Sequence, residues 1–204
     1  MTIKNIIFDI GNVLMAFCWE KHFRSFGFSE DIFQKVAKAT VLSPTWDEFD
    51  KGALNPEQLL RDFIKNDPTV EEEIRQVYED ISGTIEIYPY AEEWIRTLKE
   101  NGYNVYVLSN FSEKLHNECG NKVDFLKEVD GYILSYQEKL IKPDDRIYQT
   151  LIQRYGLVPE ESVFIDDRAD NIQAARKNGL LGIVFQSYEE TIELLQSMKV
   201  KISI

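Results

Sequence analysis

From about residue 85 onward the chain alternates between short apolar runs and segments with helical spacing. "YNVYVLSN", "VDGYILSY", "SVFIDD" and "LLGIVF" are β-branched and aromatic runs of strand length. Between and after them, "AEEWIRTLKENG", "SEKLHNECG", "DDRIYQTLIQRYG", "ADNIQAARKNG" and "YEETIELLQSM" carry apolar residues three or four apart. Gly102, Gly156 and Gly179 stand at the ends of helical segments, and glycine is the residue that most readily takes the left-handed turn beyond a helix end. Strands separated by helices pair in parallel, so the pattern predicts a parallel sheet with helices on both faces.

One more strand stands apart. "IKNIIF", residues 3 to 8, is a buried strand pattern ended by Asp-Ile-Gly-Asn turn chemistry. From about residue 18 to 82 the periodicity is helical only. Caps are expected at Ser29, at Ser43 with Pro44 following, at Asn55 with Pro56 following, and at Thr69 with Glu72 three residues later. If the first strand joins the later sheet, this helical block is an insertion. The expected fold class is α/β: a Rossmann-like three-layer parallel-sheet core formed by residues 1–15 and 85–204, with an inserted α-helical cap over residues 16–84.

At 204 residues and 44% hydrophobic, the chain can bury a sizeable core. Its net charge of −12, without any basic run, excludes a nucleic-acid backbone as partner. No stretch reaches the length of a membrane span. The two cysteines, Cys18 and Cys119, form neither a disulfide framework nor a paired metal spacing, and "MTIKNIIFDIG" breaks its apolar run at Asp9, too early for a secretory leader. A cytoplasmic protein, monomeric or weakly homodimeric, is expected. A negative surface repels anions at long range, so an anionic ligand needs a local patch of lysine, backbone N–H groups or a bound cation.

Ligands of an open parallel sheet bind beyond the carboxyl ends of the strands. Four such places carry polar chemistry: Asp9 after "IIF", Ser109-Asn110 after "YVL", Lys142 just after "ILSYQEKLI", and Asp166-Asp167 after "VFI". Three carboxylates gathered there would repel one another unless a cation compensates them. A hard cation with oxygen ligands, Mg²⁺ above all, resolves this and keeps waters that a phosphate oxygen can replace. One carboxylate left to attack phosphorus would form an aspartyl-phosphate. Lys142 would hold the nucleophile and the phosphoryl oxygens, and the Ser109 hydroxyl with neighbouring N–H groups would bind another oxygen. Each feature also has a plainer explanation. A single strand-end Asp can be a turn residue, Ser or Asn before a helix is ordinary capping, and Asp170 and Asn171 suit a helix N-terminus.

The stretches "FDIGNVL", "VLSN", "KLIKPDDRIY" and "VFIDDRADNIQAA" resemble, in order and spacing, the four motifs of the haloacid dehalogenase superfamily. The helical block lies where subfamily I members carry their cap. "FDIGNV", "EFDKG" and "KPDDRIY" look most like bacterial sugar-phosphate phosphatases of the α-glucose-1-phosphate phosphatase type. The resemblance implies that Asp9 is the nucleophile, that Ser109 and Asn110 hold the transferring phosphate of a small phosphorylated substrate, and that Lys142 neutralises nucleophile and phosphate. It implies Mg²⁺ held by Asp9, the Gly11 carbonyl, Asp166 and Asp167, with Asp167 the direct ligand and Asn171 steadying the loop.

One departure matters. Most phosphatases of the superfamily have a second Asp two positions after the nucleophile, as general acid for the leaving alcohol; here that residue is Gly11, a position that the similar sugar-phosphate phosphatases also give to Gly. General acid–base help is worth about 10²- to 10⁴-fold. Three readings follow: a leaving group good enough alone, another acid such as Asp50 of "EFDKG" or Asp170, or a slow or non-catalytic phosphometabolite binder. A dehalogenase would turn Asp9 on carbon and need no metal, which the paired acids Asp166 and Asp167 argue against.

Overall fold

The structure, a computed structural model, describes residues 2–202. In chain order its strands and α-helices are β1 Asn5–Phe8, β2 Met15–Phe17, α1 Trp19–Ser25, α2 Glu30–Ala39, α3 Thr45–Lys51, α4 Pro56–Asn66, α5 Glu71–Glu79, β3 Ile85–Ile87, α6 Ala91–Glu100, β4 Asn104–Ser109, α7 Glu113–Glu118, β5 Gly131–Leu134, α8 Ser135–Glu138, α9 Asp145–Tyr155, β6 Ser162–Asp166, α10 Ala169–Lys177, β7 Leu181–Val184 and α11 Tyr188–Ser197.

Five strands form a parallel sheet in the order β5-β4-β1-β6-β7. β1 is central and all four of its residues are buried, which is why it carries no polar alternation. Ile6 and Phe8 face one layer, where Phe8 meets Trp94 of α6 edge-on at 4.6 Å; Ile7 faces the other, with Ile147, Tyr148 and Leu151 of α9 and Ile172 of α10. The chain passes from β1 to β4 and β5 on one side, then crosses to β6 and β7 on the other. The direction therefore reverses between β1 and β6, the topological switch point at which ligands of such sheets bind. This is the three-layer α/β arrangement the alternation predicts.

Helices α1 to α5 lie between β2 and β3. Those two three-residue strands pair antiparallel, Met15 with Ile87 and Phe17 with Ile85, and form a ribbon at the base of the helical insertion that the sequence pattern did not reveal. Ser29 and Asn55 cap α2 and α4 as expected, their side-chain oxygens accepting from the N–H groups of Ile32 and Gln58. Ser43 and Thr69 do not cap. The Ser43 hydroxyl donates back to the Thr40 carbonyl at 2.7 Å. Thr69 lies inside a 3₁₀ turn, where Asp67 accepts from both its N–H and its hydroxyl. The expected strand "VDGYILSY" ends at Leu134, and Ser135 and Tyr136 begin α8 instead.

Candidate active site

Asp9 follows β1 without leaving its ladder: its N–H donates to the Ile165 carbonyl of β6 at 2.9 Å. One carboxylate oxygen, Oδ1, accepts from the Ile10 N–H at 2.7 Å and lies 2.8 Å from Lys142 Nζ. The same ammonium lies 2.6 Å from Asp166 Oδ2, and the Lys142 and Asp166 side chains are 1% and 0% exposed. Asp166 spends its remaining capacity on the Arg168 N–H at 2.8 Å and on Asn171 Nδ2 at 3.0 Å. Asp166 thus fixes Lys142, and Asn171 fixes Asp166.

Lys142 does not sit at a strand end. It lies eight positions past the end of β5, and it is placed by Asn110 on the neighbouring loop. The Asn110 amide donates to the Lys142 carbonyl at 3.1 Å and accepts from the Lys142 N–H at 2.8 Å. The Asn110 side chain, expected at a phosphate, is therefore engaged with the Lys142 main chain. Ser109 is buried at the end of β4, and its hydroxyl donates to the Asn110 carbonyl at 3.4 Å.

Asp167 is oriented by Asn12, whose Nδ2 donates to Asp167 Oδ2 at 2.9 Å while its Oδ1 accepts from the Phe17 N–H at 3.2 Å. Asn12 has φ 55°, the left-handed conformation its side chain tolerates, so the turn after Asp9 both bends the chain and aims the third carboxylate. The sequence suggested only the bend. Asp170 is not brought to the site: it pairs with Arg168 at 2.7 Å at the surface, and that guanidinium holds its carboxyl below the ordinary value.

One ammonium faces three carboxylates here. Oxygens of Asp9, Asp166 and Asp167 lie within 4.8 Å of one another. Burial pushes the Asp9 carboxyl up to about 7; the Lys142 charge opposes that and Asp166 adds to it. Burial likewise raises Asp167. Burial disfavours the Lys142 ammonium, but Asp166 and Asp9 outweigh it, so the lysine stays cationic. The surplus negative charge fits a divalent cation with oxygen ligands. The buried Asn171 Oδ1, next to Asp166, has no hydrogen-bond partner among the described residues and suits a donor such as a water of hydration.

Two cavities open onto Asp9, of about 470 Å³ and about 160 Å³. Asp9, Phe17, Trp46, Asp50, Asn110 and Arg168 line both. The larger also takes in Val41, Leu42, Ser43, Pro44 and Asp47 from the insertion, so its wall there mixes apolar and polar side chains. Phe17, Trp46 and Arg168 carry no motif, and nothing local in the sequence singles them out. A separate cleft of about 310 Å³ between α3, α5 and α7 offers no free cation among its lining residues, since Lys114 pairs with Glu118.

The sequence pattern of haloacid dehalogenase-like hydrolases matches residues 3–179. The chain is 24% identical over 182 residues, 89% of each chain, to the sesquiterpene phosphatase astK of Aspergillus oryzae. It is 25% identical over 191 residues to the D-ribitol-5-phosphate phosphatase of Bacteroides thetaiotaomicron, covering 87% of this chain and 89% of that one. Two further relatives are much longer, and the chain spans 35% and 19% of their lengths. The fold superposes on a HAD-family enzyme of Bacteroides thetaiotaomicron solved as a magnesium complex, with TM-score 0.74, 22% identity, and 96% and 100% of the two chains covered. The matched pattern spans four of the five strands of the sheet, the helical insertion and every residue gathered around Asp9, and the chain belongs to the haloacid dehalogenase-like hydrolases.

Proposed function

We propose that the protein is a Mg²⁺-dependent phosphatase that hydrolyses a small phosphorylated metabolite through an aspartyl-phosphate on Asp9. The observation that carries this reading is the cluster of three carboxylates around one buried ammonium at the β1–β6 switch point, with Asp9 open to the cavities. Asp9, Asp167 and the Gly11 carbonyl would hold the cation with Asp166 beside them, and when bound it supplies charge neutralisation at the phosphoryl oxygens.

The chain's own groups do the rest. Lys142 favours the ionised Asp9 carboxylate and adds a positive charge for the incoming phosphoryl group. An Asp9 oxygen forms a bond to phosphorus as the bond to the leaving oxygen breaks. Ser109 offers a hydroxyl to another phosphoryl oxygen. Water then attacks phosphorus and returns Asp9 and inorganic phosphate. Helices α1 to α5 act as a cap that excludes bulk water during the first transfer.

A sugar phosphate is the favoured substrate class. The D-ribitol-5-phosphate phosphatase among the relatives supports it, as does a cavity in which Ser43, Asp47, Asp50 and Arg168 can meet hydroxyls while Phe17 and Trp46 cover a carbon face. Phosphate release from a panel of phosphorylated metabolites, with and without Mg²⁺, tests the proposal. Metal-dependent release is expected; tight phosphate binding with no turnover on any substrate would instead mark a non-catalytic binder.

A further inference from the structure

Transfer of a phosphoryl group from an alcohol to Asp9 expels an alkoxide, which needs a proton. Residue 11 cannot give one, and a Cβ built there would meet no heavy atom within 4 Å, so the space before the nucleophile is open. Across that space both cavities share a second carboxyl, that of Asp50 on α3.

Three features distinguish Asp50 from the other ionisable groups around the cavities. Its side chain makes no hydrogen bond or ion pair among the described residues, whereas Asp170 is tied to Arg168. Its main chain is anchored to the core: the Ser135 hydroxyl donates to the Asp50 carbonyl at 2.5 Å and in turn accepts from the Phe111 N–H at 2.8 Å. Two residues on, Lys139 donates to the Gly52 carbonyl, and Gly52 packs so closely that a Cβ would lie 2.9 Å from Tyr136 Cβ. The loops after β4 and β5, which carry Asn110 and Lys142, therefore also locate Asp50. The remaining candidates fail on chemistry, because Arg168 keeps its proton at any working pH and Asp47 is exposed to solvent.

We propose that Asp50 is the proton donor to the leaving oxygen and, in the second half-reaction, the proton acceptor from the attacking water. This rests on the phosphatase reading above. As the bond between phosphorus and the leaving oxygen breaks, its electron pair goes to that oxygen, which takes the Asp50 proton. The resulting Asp50 carboxylate removes a proton from water as the water oxygen bonds to phosphorus and the Asp9–phosphorus bond breaks, so Asp50 ends protonated. Asp50 keeps some accessible surface toward the cavities, yet protein encloses it elsewhere. That burial pushes its carboxyl up to about 8, Asp47 and Asp9 adding to the effect and Lys142 opposing it, so it enters the reaction as the acid.

Leaving-group dependence tests the assignment. Wild type, Asp50→Asn and Asp50→Glu are compared, with Mg²⁺, on p-nitrophenyl phosphate and on the best alcohol phosphate of the panel. Asparagine matches the shape and neutrality of the protonated acid, so Asp50→Asn should melt near the wild-type temperature. It should lose about 10²- to 10⁴-fold in kcat on the alcohol phosphate. On p-nitrophenyl phosphate, whose leaving group needs no proton, it should release one equivalent of p-nitrophenolate at nearly the wild-type rate and then turn over slowly. Asp50→Glu should recover part of the alcohol activity. Equal losses in the burst and on the alcohol phosphate, or no loss on either, would overturn the assignment. Release that Asp9→Asn abolishes and Asp50→Asn leaves unchanged overturns only the role of Asp50, while a wild type that releases no phosphate overturns the phosphatase reading as well.

Discussion

At the carboxyl edge of the sheet the site is built from charges, and the inserted helices that face it are built from rings. Lys142 and Asp166 are almost wholly removed from solvent and locked by Asn110, Asn171 and each other. The insertion instead packs Trp46 against Phe49 at 5.0 Å and Phe49 against Phe63 at 6.3 Å, and presents Trp46, with Phe17, to the cavity. Charges buried at fixed distances leave little freedom, because each is held by specific partners at set positions. An aromatic wall is non-directional and accepts changes of shape. Under the proposed function, chemistry belongs to the sheet edge and substrate preference to the insertion, and Asp50 is the one ionisable group of α3 that lines both cavities.

Substitutions at the edge should therefore act on every substrate alike. Asp9→Asn is expected to cost on the order of 10⁴-fold or more in kcat across the whole panel. A substrate-selective loss would break the comparison. Lys142→Met leaves Asp9 and Asp166 buried without their cation and should destabilise the fold by about 3–5 kcal/mol, read from urea denaturation.

Metal binding comes next in size. Mg²⁺ at a hundred times its dissociation constant should add about 2.7 kcal/mol to stability, visible as a rise in melting temperature that chelation reverses. Asp167→Asn should abolish that rise. In the insertion, Trp46→Ala should raise KM about tenfold, or about 1.4 kcal/mol, for the preferred substrate and leave kcat nearly unchanged. A kcat loss common to all substrates would place Trp46 with the chemistry instead.

The smallest effect concerns His116, half-buried with Nδ1 2.8 Å from the Tyr136 hydroxyl and far from the carboxylate cluster in role. Burial lowers its pKa, so the folded state resists protonation. Its stabilising contribution is present above the ordinary histidine value and is lost as pH falls through the folded value. The urea midpoint of wild type should drop slightly more between pH 7 and pH 5 than that of His116→Gln.

The strands and the Gly-ended helices could be read from local pattern because burial on both faces leaves β1, β4 and β6 with continuous apolar runs. What could not be read depends on partners far along the chain. β2 and β3 are three residues each and exist only through pairing across some 70 intervening positions. Ser43 and Thr69 have the right residue types for caps, but Thr40 and Asp67 claim their hydroxyls. Among the site residues, Asp9, Lys142, Asp166 and Asp167 stand out through strand ends and motifs, and the structure brings them together. The engagement of Asn110 with the Lys142 main chain, the tie from Asn12 to Asp167 and the burial of Asp50 arise only when separate loops meet.

The central claim, a covalent phosphoryl group on Asp9, is tested most directly by trapping it. Enzyme quenched during turnover with Mg²⁺ and treated with borohydride should show residue 9 converted to homoserine in the mass spectrum of its peptides, since an acyl phosphate is reduced and a free carboxylate is not. The conversion should vanish without metal or substrate. Turnover with residue 9 left as unmodified aspartate, or turnover that persists in Asp9→Asn, would contradict the account.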